Sequence, residues 1–487
     1  MPMKALRSVY AMTLSLTYSE ERRISMDNYM TYLVPDNKMI LGENQYFDLD
    51  CYKTQMNNNV LVVGASGAGK TRSIVSPNIL QATGSYIIVD PKGSLYGQYK
   101  RYLRRKGYCV QKLNFTDPRD SETLTYNFFS YIHNDQDILK IAHMMVHANY
   151  TGTESFKMDP FWDDASELLL AAIISFLYHH MPAEHRTLQN MLSMLQMCQI
   201  DDDLGAGINA LDTVFDSIKD ENQEDFSYRS YMRFRQAAGR TLKGILITLS
   251  SKLAVFDTED LRGFFQEDTV DIARIGRRKT ALFVIVSDTD RVMDSMANLF
   301  FTQAINILCH AADARYDHRL PVDVRFILDD FATNVRITDF PRMISSIRSR
   351  GISVMLMLQA ESQLEDAYGK DGRTIIGNCD TYVYLGGNDL ETAERVARRA
   401  NVPLKQILAM PVGTNWIFRR GQEPVRGRNF DLDVFAGIKM LPVDRRRWNQ
   451  NRIPAARQQD SLRMQGPEAD HIWGREHSGG QISPAGA

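Results

Sequence analysis

The stretch Val60–Val75 reads V-L-V-V-G-A-S-G-A-G-K-T-R-S-I-V. Gly64, Gly69, Lys70 and Thr71 fit the spacing G-x-x-x-x-G-K-[ST], the pattern of a phosphate-binding loop. Each residue type has a physical reason. Glycines let backbone N–H groups curl round a phosphate with no Cβ in the way. The helix that follows turns its positive end toward the same anion. Across Gly64, Ala65, Ser66, Gly67, Ala68, Gly69, Lys70 and Thr71, the lysine is expected to reach the β- and γ-phosphates of ATP. The Thr71 hydroxyl is expected to take one position on Mg²⁺.

Such a loop needs a second element to hold the metal and orient water. Arg325–Asp330, R-F-I-L-D-D, offers an apolar run ending in two carboxylates. Asp329 is expected to hold Mg²⁺ and Asp330 to polarise the attacking water; the alternative for Asp330 is an acid at a helix start. Gln359 ends the run I-S-V-M-L-M-L and is placed to sense the γ-phosphate. Glu361, just beyond it, is the next carboxylate to consider. Arg348 and Arg350, in S-I-R-S-R-G, could serve a neighbouring subunit as an arginine finger or simply close a helix end.

These residues must be carried by strands and helices. Val60–Val63, Ser85–Val89, Tyr108–Phe115, Ala281–Val286, Val324–Leu328, Ile352–Leu358, Thr381–Leu385 and Asn415–Arg419 read as strands, most as continuous apolar runs. Met39–Leu49 allows short flanking strands. Ser94 is expected to cap a helix ending near Lys106, and another helix should run from about Asp290 to Ala314. Strand alternating with helix argues for a mainly parallel α/β sheet. In 135–265 the periodicity turns helical, with Asp135–Ala148, Pro160–His180, Leu188–Cys198, Leu204–Lys219 and Met232–Phe256 as candidates. The reading is an all-α domain, 135–265, inserted in a nucleotide-binding domain made of 46–134 and 266–435. An N-terminal segment, 1–45, precedes it and a flexible, Arg/Gln- then Gly/Ser/Pro-rich tail, 436–487, follows.

Composition narrows the function. With 57 basic and 59 acidic residues among 487, net charge −2, the surface is not uniformly positive. Contact with nucleic acid must therefore be local. Cys51, Cys109, Cys198, Cys309 and Cys379 lie far apart with no C-x-x-C pair. That points to a reducing compartment and away from a disulfide framework or zinc site. No signal peptide is expected, and the longest apolar run, Leu168–Tyr178, is too short to span a bilayer.

From Met39 to Leu432 the chain resembles the type IV coupling proteins of conjugative secretion systems, TraG/TraD type, above all versions from conjugative elements of Gram-positive bacteria. The resemblance rests on ordered blocks: N-N-N-V-L-V-V-G-A-S-G-A-G-K-T, V-D-P-K-G, D-P-F-W, L-D-D-F-A, I-R-S-R-G-I-S-V, L-Q-A-E-S-Q-L and I-I-G-N-C-D-T-Y-V-Y-L-G-G. It implies a RecA-like P-loop NTPase with an inserted all-α domain. It also implies a homo-hexamer that uses ATP and Mg²⁺ to move single-stranded DNA, with its attached relaxase, into the secretion channel. By position, Gly64–Thr71 match the phosphate loop, Asp329 the metal-holding acid, Gln359 the strand-end glutamine and Arg348 the inter-subunit arginine finger. Two departures stand out. The family usually has Glu where this chain has Asp330. It also usually carries an N-terminal transmembrane anchor, which is not read in this sequence, so either a separate membrane protein is expected to dock this chain at the cytoplasmic face of the bacterial membrane or the chain is a shortened relative. Two other readings are an ATP-binding recruitment platform with little hydrolysis and a chromosome-partitioning type of DNA translocase.

Overall fold

The computed structural model describes residues 34–147, 160–198, 209–238, 241–333 and 335–440. Its centre is a nine-stranded sheet. In chain order the strands are β3 (Val60–Val63), β4 (Ser85–Val89), β5 (Cys109–Asn114), β6 (Thr280–Ile285), β7 (Val324–Leu328), β8 (Ile352–Leu358), β9 (Thr381–Tyr384), β10 (Thr414–Arg419) and β11 (Val425–Arg428). A hairpin, β1 (Lys38–Gly42) with β2 (Gln45–Asp48), precedes them, so a boundary at residue 45 would cut through that hairpin. The spatial order is β11-β10-β9-β3-β8-β7-β4-β6-β5. From β9 to β5 all pairings are parallel; β10 and β11 add an antiparallel edge.

The apolar runs explain the order of burial. Val60, Val62, Ile88 and Met355 face one side of the sheet; Leu61, Val63, Ile87 and Leu356 face the other. A parallel strand covered on both faces needs no polar alternation. Every residue of β3 is fully buried, each worth roughly 1.5–3 kcal/mol by transfer of its side chain from water. The strand is therefore a fixed base for the loop that leaves it.

On the first face lie the β1–β2 hairpin, α1 (Ser76–Gln81), α2 (Ser94–Arg105) and α11 (Leu432–Lys439). The helix α2 buries Leu95, Tyr96, Tyr99, Tyr102 and Leu103, one face of a 3.6-residue period. On the second face lie α9 (Asp294–Arg315), α10 (Leu390–Ala400) and the helical insert, which leaves after β5 and returns at the neighbouring β6. Its helices are α3 (Asp135–Val146), α4 (Pro160–His180), α5 (Leu188–Gln196), α6 (Ala210–Glu221), α7 (Phe226–Ala238) and α8 (Leu242–Leu253). The central helix α4 touches α3, α5, α7 and α8. The insert's apolar residues run on into the core of the second sheet face as one cluster.

Several expected boundaries move for local reasons. The helix expected over Leu204–Lys219 begins at Ala210, where Asn209 and Asp212 form a capping box; 204–208 lie outside the described residues. Met232–Phe256 is two helices, α7 and α8, with Gly239, a poor helix former, in the sequence between them. The helix α9 begins at Asp294 because Ser287 Oγ takes the N–H groups of Thr289 and Asp290 into a turn. Ser94 is the first helical residue of α2, and the cap position belongs to Gly93, at φ 63°. The tail from 441, residues 1–33, Ala148 and Asp159 of D-P-F-W lie outside the described residues. All five cysteines are free. Among the described residues no helix is long and apolar enough to cross a membrane.

Candidate nucleotide site

The phosphate loop leaves the C-terminal end of β3 and is held from both sides. Gly64 N–H donates to the Leu358 carbonyl on β8 (3.1 Å), and Ala65 N–H donates to the Gly386 carbonyl after β9 (2.9 Å). A Cβ on Gly64 would stand 2.9 Å from Leu385 Cβ, so the fit admits only glycine. Gly69 turns into the helix at φ +90°, a conformation costly for any other residue. Among the described residues the N–H groups of Ser66, Gly67 and Gly69 make no hydrogen bond. They are the donors that an anion would satisfy. A single π-helical turn, Thr71–Val75, follows and passes into α1.

Lys70 is buried at 8% exposure, and its Nζ donates to the carbonyls of Gly64 (2.6 Å) and Ala65 (3.3 Å). Burial pushes its pKa down, while the charges of Asp330 and Asp329 pull it back up. Across the crevice the Thr71 hydroxyl donates to Asp329 Oδ2 at 2.7 Å. Asp329 follows β7 and is buried, and burial raises its pKa against the Thr71 hydrogen bond. The hydroxyl and carboxylate expected on Mg²⁺ therefore already converge beside the ammonium expected on phosphate. A buried carboxylate and a hydroxyl in contact suit a hard divalent cation.

Asp330 stands next, half-buried, at φ 50°, with Ala332 also left-handed at φ 67°. No helix starts there; the chain makes a turn, which removes the helix-start reading. Non-glycine residues in this region are uncommon and gather at functional sites. Gln359 is exposed at the end of β8, and its N–H donates to Gln363 Oε1 (2.7 Å). Val63 pairs with Leu358, so Gln359 lies one step along from that pair, beside Gly64. Glu361 is committed elsewhere: it is buried, with its Oε2 3.0 Å from Arg395 Nη1.

Arg348 is not in this crevice. It sits in a turn before β8, half-buried, and donates from Nη2 to the Cys51 carbonyl (3.0 Å). The length of β8, roughly 20 Å at the strand rise, separates it from the phosphate loop of its own chain. Arg350 is engaged within the chain through Asp313 on α9 (Nη2 to Oδ2, 2.7 Å) and the Ser346 carbonyl.

Three participants went unnoticed in the sequence. Asp90 ends β4 beside β7, is 1% exposed, and accepts from the Tyr96 N–H of α2 at 2.9 Å. It thus supplies the cap expected of Ser94. Burial pushes its pKa up to about 6, against hydrogen bonds from the helix N-terminus, and the charge of Asp329 adds to the rise. Gly386, through its carbonyl, and Asn429, whose side chain donates to the Ala68 carbonyl at 3.4 Å, brace the loop. V-D-P-K-G was the visible signal for Asp90 and the L-G-G after Tyr384 that for Gly386; Asn429 had none.

Comparison with known proteins fits this geometry. A family model described as type IV secretory system conjugative DNA transfer matches residues 20–400. The chain is similar to VirD4 of Rhizobium radiobacter, 23% identical over 355 residues, covering 69% of this chain and 47% of that protein. VirD4 of Rhizobium rhizogenes is 23% identical over 358 residues, covering 69% and 48%. The chain thus spans about half the length of these relatives. In three dimensions it is similar to the bacterial conjugative coupling protein TrwB, with a TM-score of 0.60 at 17% identity over 83% of this chain and 90% of that one. TrwB in complex with ADPNP gives a TM-score of 0.60 at 16% identity, covering 84% and 93%. TrwB with ADP and Mg²⁺ gives 0.58 at 17%, again covering 84% and 93%. The fold is the RecA-like P-loop NTPase fold.

Proposed function

The chain belongs to the type IV secretory system conjugative DNA transfer family, and from that premise we propose that it is an ATP-driven coupling protein. In this reading it recruits a relaxase bound to single-stranded DNA and drives it into a conjugation channel. It works as a homo-hexamer at the inner face of the bacterial membrane. The helical insert, 135–265, serves as the cargo-selecting domain on the motor formed by 46–134 and 266–435.

One observation carries the reading: the Thr71 hydroxyl and the Asp329 carboxylate meet at 2.7 Å beside a phosphate loop in which the N–H groups of Ser66, Gly67 and Gly69 have no partner among the described residues. TrwB structures hold ADPNP in one case and ADP with Mg²⁺ in another, and the donors here suit the same class of ligand. Bound Mg²⁺ would draw charge off the β- and γ-phosphate oxygens. Thr71 Oγ and Asp329 would hold it, giving up their mutual hydrogen bond. Lys70 would exchange the Gly64 and Ala65 carbonyls for phosphate oxygens, a stronger partner for an ammonium. Asp330 would accept a hydrogen bond from the attacking water and polarise it. Gln359, beside Gly64, would report the γ-phosphate to β8. Arg348, at the far end of β8, would act on the site of a neighbouring subunit.

Steady-state ATP hydrolysis by the purified chain, with and without single-stranded DNA, tests this. Hydrolysis that depends on Mg²⁺ and rises with DNA supports a motor. ATP binding without hydrolysis in either condition would replace it with a recruitment platform. The shorter Asp330, where the family usually has Glu, is the residue that favours that second reading.

A further inference from the structure

Away from the nucleotide site, two histidines and a glutamate converge on the helical insert. His143 and His147 lie four residues apart on the last turn and cap of α3, with ring centroids 4.3 Å apart. Glu167 reaches them from α4. Its Oε1 stands 3.0 Å from His143 Nδ1 and 2.6 Å from His147 Nε2, and the three ligating atoms lie within 4.8 Å of one another. We propose that His143, His147 and Glu167 form a binding site for a transition-metal ion of the Zn²⁺ class, independent of the nucleotide chemistry.

The donor set fits. Two imidazoles and a carboxylate suit Zn²⁺ and its neighbours, whereas Mg²⁺ demands oxygen ligands. Bond lengths of about 2.0–2.2 Å put tetrahedral ligand atoms roughly 3.3–3.6 Å apart. The two observed edges, 3.0 and 2.6 Å, are shorter than this by up to about 1 Å, being hydrogen bonds, and an outward swing of Glu167 opens them. The ion takes the place of the shared protons, and water completes the tetrahedron.

A further observation comes from the surrounding shell. The other ring nitrogen of His147, Nδ1, lies 3.7 Å from Oδ2 of the buried Asp163. Asp163 is itself held by Lys252 Nζ at 2.6 Å, and that ammonium also caps the Val146 carbonyl at 2.8 Å. The 3.7 Å between His147 and Asp163 is longer than a hydrogen bond, and a small turn of the ring would bring Nδ1 to the carboxylate, the usual support of a metal-bound imidazole. The negative end of α3 also favours a cation at this position. The site has no cysteine, which is why cysteine spacing gave no sign of it. His143 and His147 also line a cleft of about 550 Å³, with Arg336 and Asp339 on the opposite wall. A bound ion would therefore tie α3 to α4 along one wall of that cleft.

The test is a titration of the full chain, stripped of metal, with Co²⁺ in excess Mg²⁺, read by the d–d absorption of a four-coordinate ion. One equivalent should bind and be displaced by Zn²⁺. His143→Ala and His147→Ala should each weaken binding more than about tenfold, with unchanged circular dichroism, because both rings are partly exposed. Asp163→Asn should weaken it by about tenfold. Absence of a saturable band, a thiolate charge-transfer band, or full binding by both histidine variants would overturn the site.

Discussion

The Thr71 hydroxyl donates a 2.7 Å hydrogen bond to Asp329 Oδ2, joining residues 258 positions apart in the chain. Between them in the chain lie four parallel strands, β4 to β7, and the whole helical insert. The pair meets because β3 and β7 both flank β8 and end on the same edge of the sheet, where α/β folds place ligands. The register sets the meeting point: Val63 pairs with Leu358, and Leu328 with Leu356.

Lys70→Ala should abolish hydrolysis and leave the fold intact. Among the described residues the Nζ hydrogen-bonds to the carbonyls of Gly64 and Ala65 alone, and water can replace it there. Loss of a phosphate-binding cation should lower turnover by about 10²-fold or more. The checks are an ATPase assay and a thermal melt on the same preparation. Turnover near that of the unaltered protein would remove this lysine from the chemistry.

Asp90 carries a pH signature. Its carboxyl titrates at about 6 in the fold against an ordinary value of 3.8. Between about pH 4 and 6 the unfolded chain is therefore ionised at this position while the native chain still holds the proton. Native protein binding more protons means that this group makes stability fall as pH rises through the window, by about 3 kcal/mol in all. Asp90→Asn cannot titrate, so its stability relative to wild type should climb by that amount from pH 4 to 7. Urea midpoints at several pH values read the difference. A constant offset would mean that Asp90 is ionised throughout.

The fold was legible where strands are buried on both faces. Val60–Val63, Val324–Leu328 and Ile352–Leu358 are apolar runs broken only by Arg325 and Ser353, and such runs announce parallel strands. The edge strand β11, V-R-G-R, is mostly exposed and has no apolar pattern to read. Asp329 was visible because a carboxylate ends an apolar strand after a phosphate loop. Asp90 ends an equally apolar strand, and its part depends on β4 lying next to β7, which only the sheet order discloses. Arg348 was visible as a residue type, but its hold on the Cys51 carbonyl links positions 297 apart. Likewise, H-M-M-V-H gains meaning only when α4 brings Glu167 alongside.

Arg348→Ala should slow hydrolysis in the assembled ring and leave nucleotide binding by a single subunit unchanged. The guanidinium lies a full strand length from its own phosphate loop, so any action on ATP must be on a neighbour. Arginine fingers in other nucleotide hydrolases are worth about 10³-fold or more. Mixing Arg348→Ala with Lys70→Ala subunits should recover part of the activity, since each supplies the half that the other lacks. A mixed hexamer of verified composition with no recovered activity would leave Arg348 as the residue that fixes Cys51 to the turn before β8.

Asp330 decides between motor and platform. It follows Asp329, the acid proposed to hold the metal, its backbone is left-handed at φ 50°, and Glu361, the next carboxylate to consider beyond Gln359, is tied to Arg395. If Asp330 polarises water, Asp330→Asn should bind ATP and fail to hydrolyse it, because the amide keeps the size and loses the charge. Asp330→Glu moves the carboxylate outward by about 1.5 Å, one carbon–carbon bond, to the reach usual in this family. It should hydrolyse as fast as wild type or faster. A large gain would mark the native protein as a slow, ATP-gated platform; an equal rate would mark it as a motor already tuned to the shorter side chain. The two variants differ in backbone strain: at φ 50° asparagine is as well tolerated as aspartate, whereas glutamate lacks that tolerance. A loss of stability in Asp330→Glu alone would therefore report that strain or a clash at the crevice, visible in the melt and separable from a catalytic loss. Single-turnover hydrolysis beside equilibrium ATP binding gives both readings on one sample. If Asp330→Asn turns over like wild type, the water-orienting group is not Asp330, and the buried Asp90 and Asp329 become the carboxylates left at this edge of the sheet.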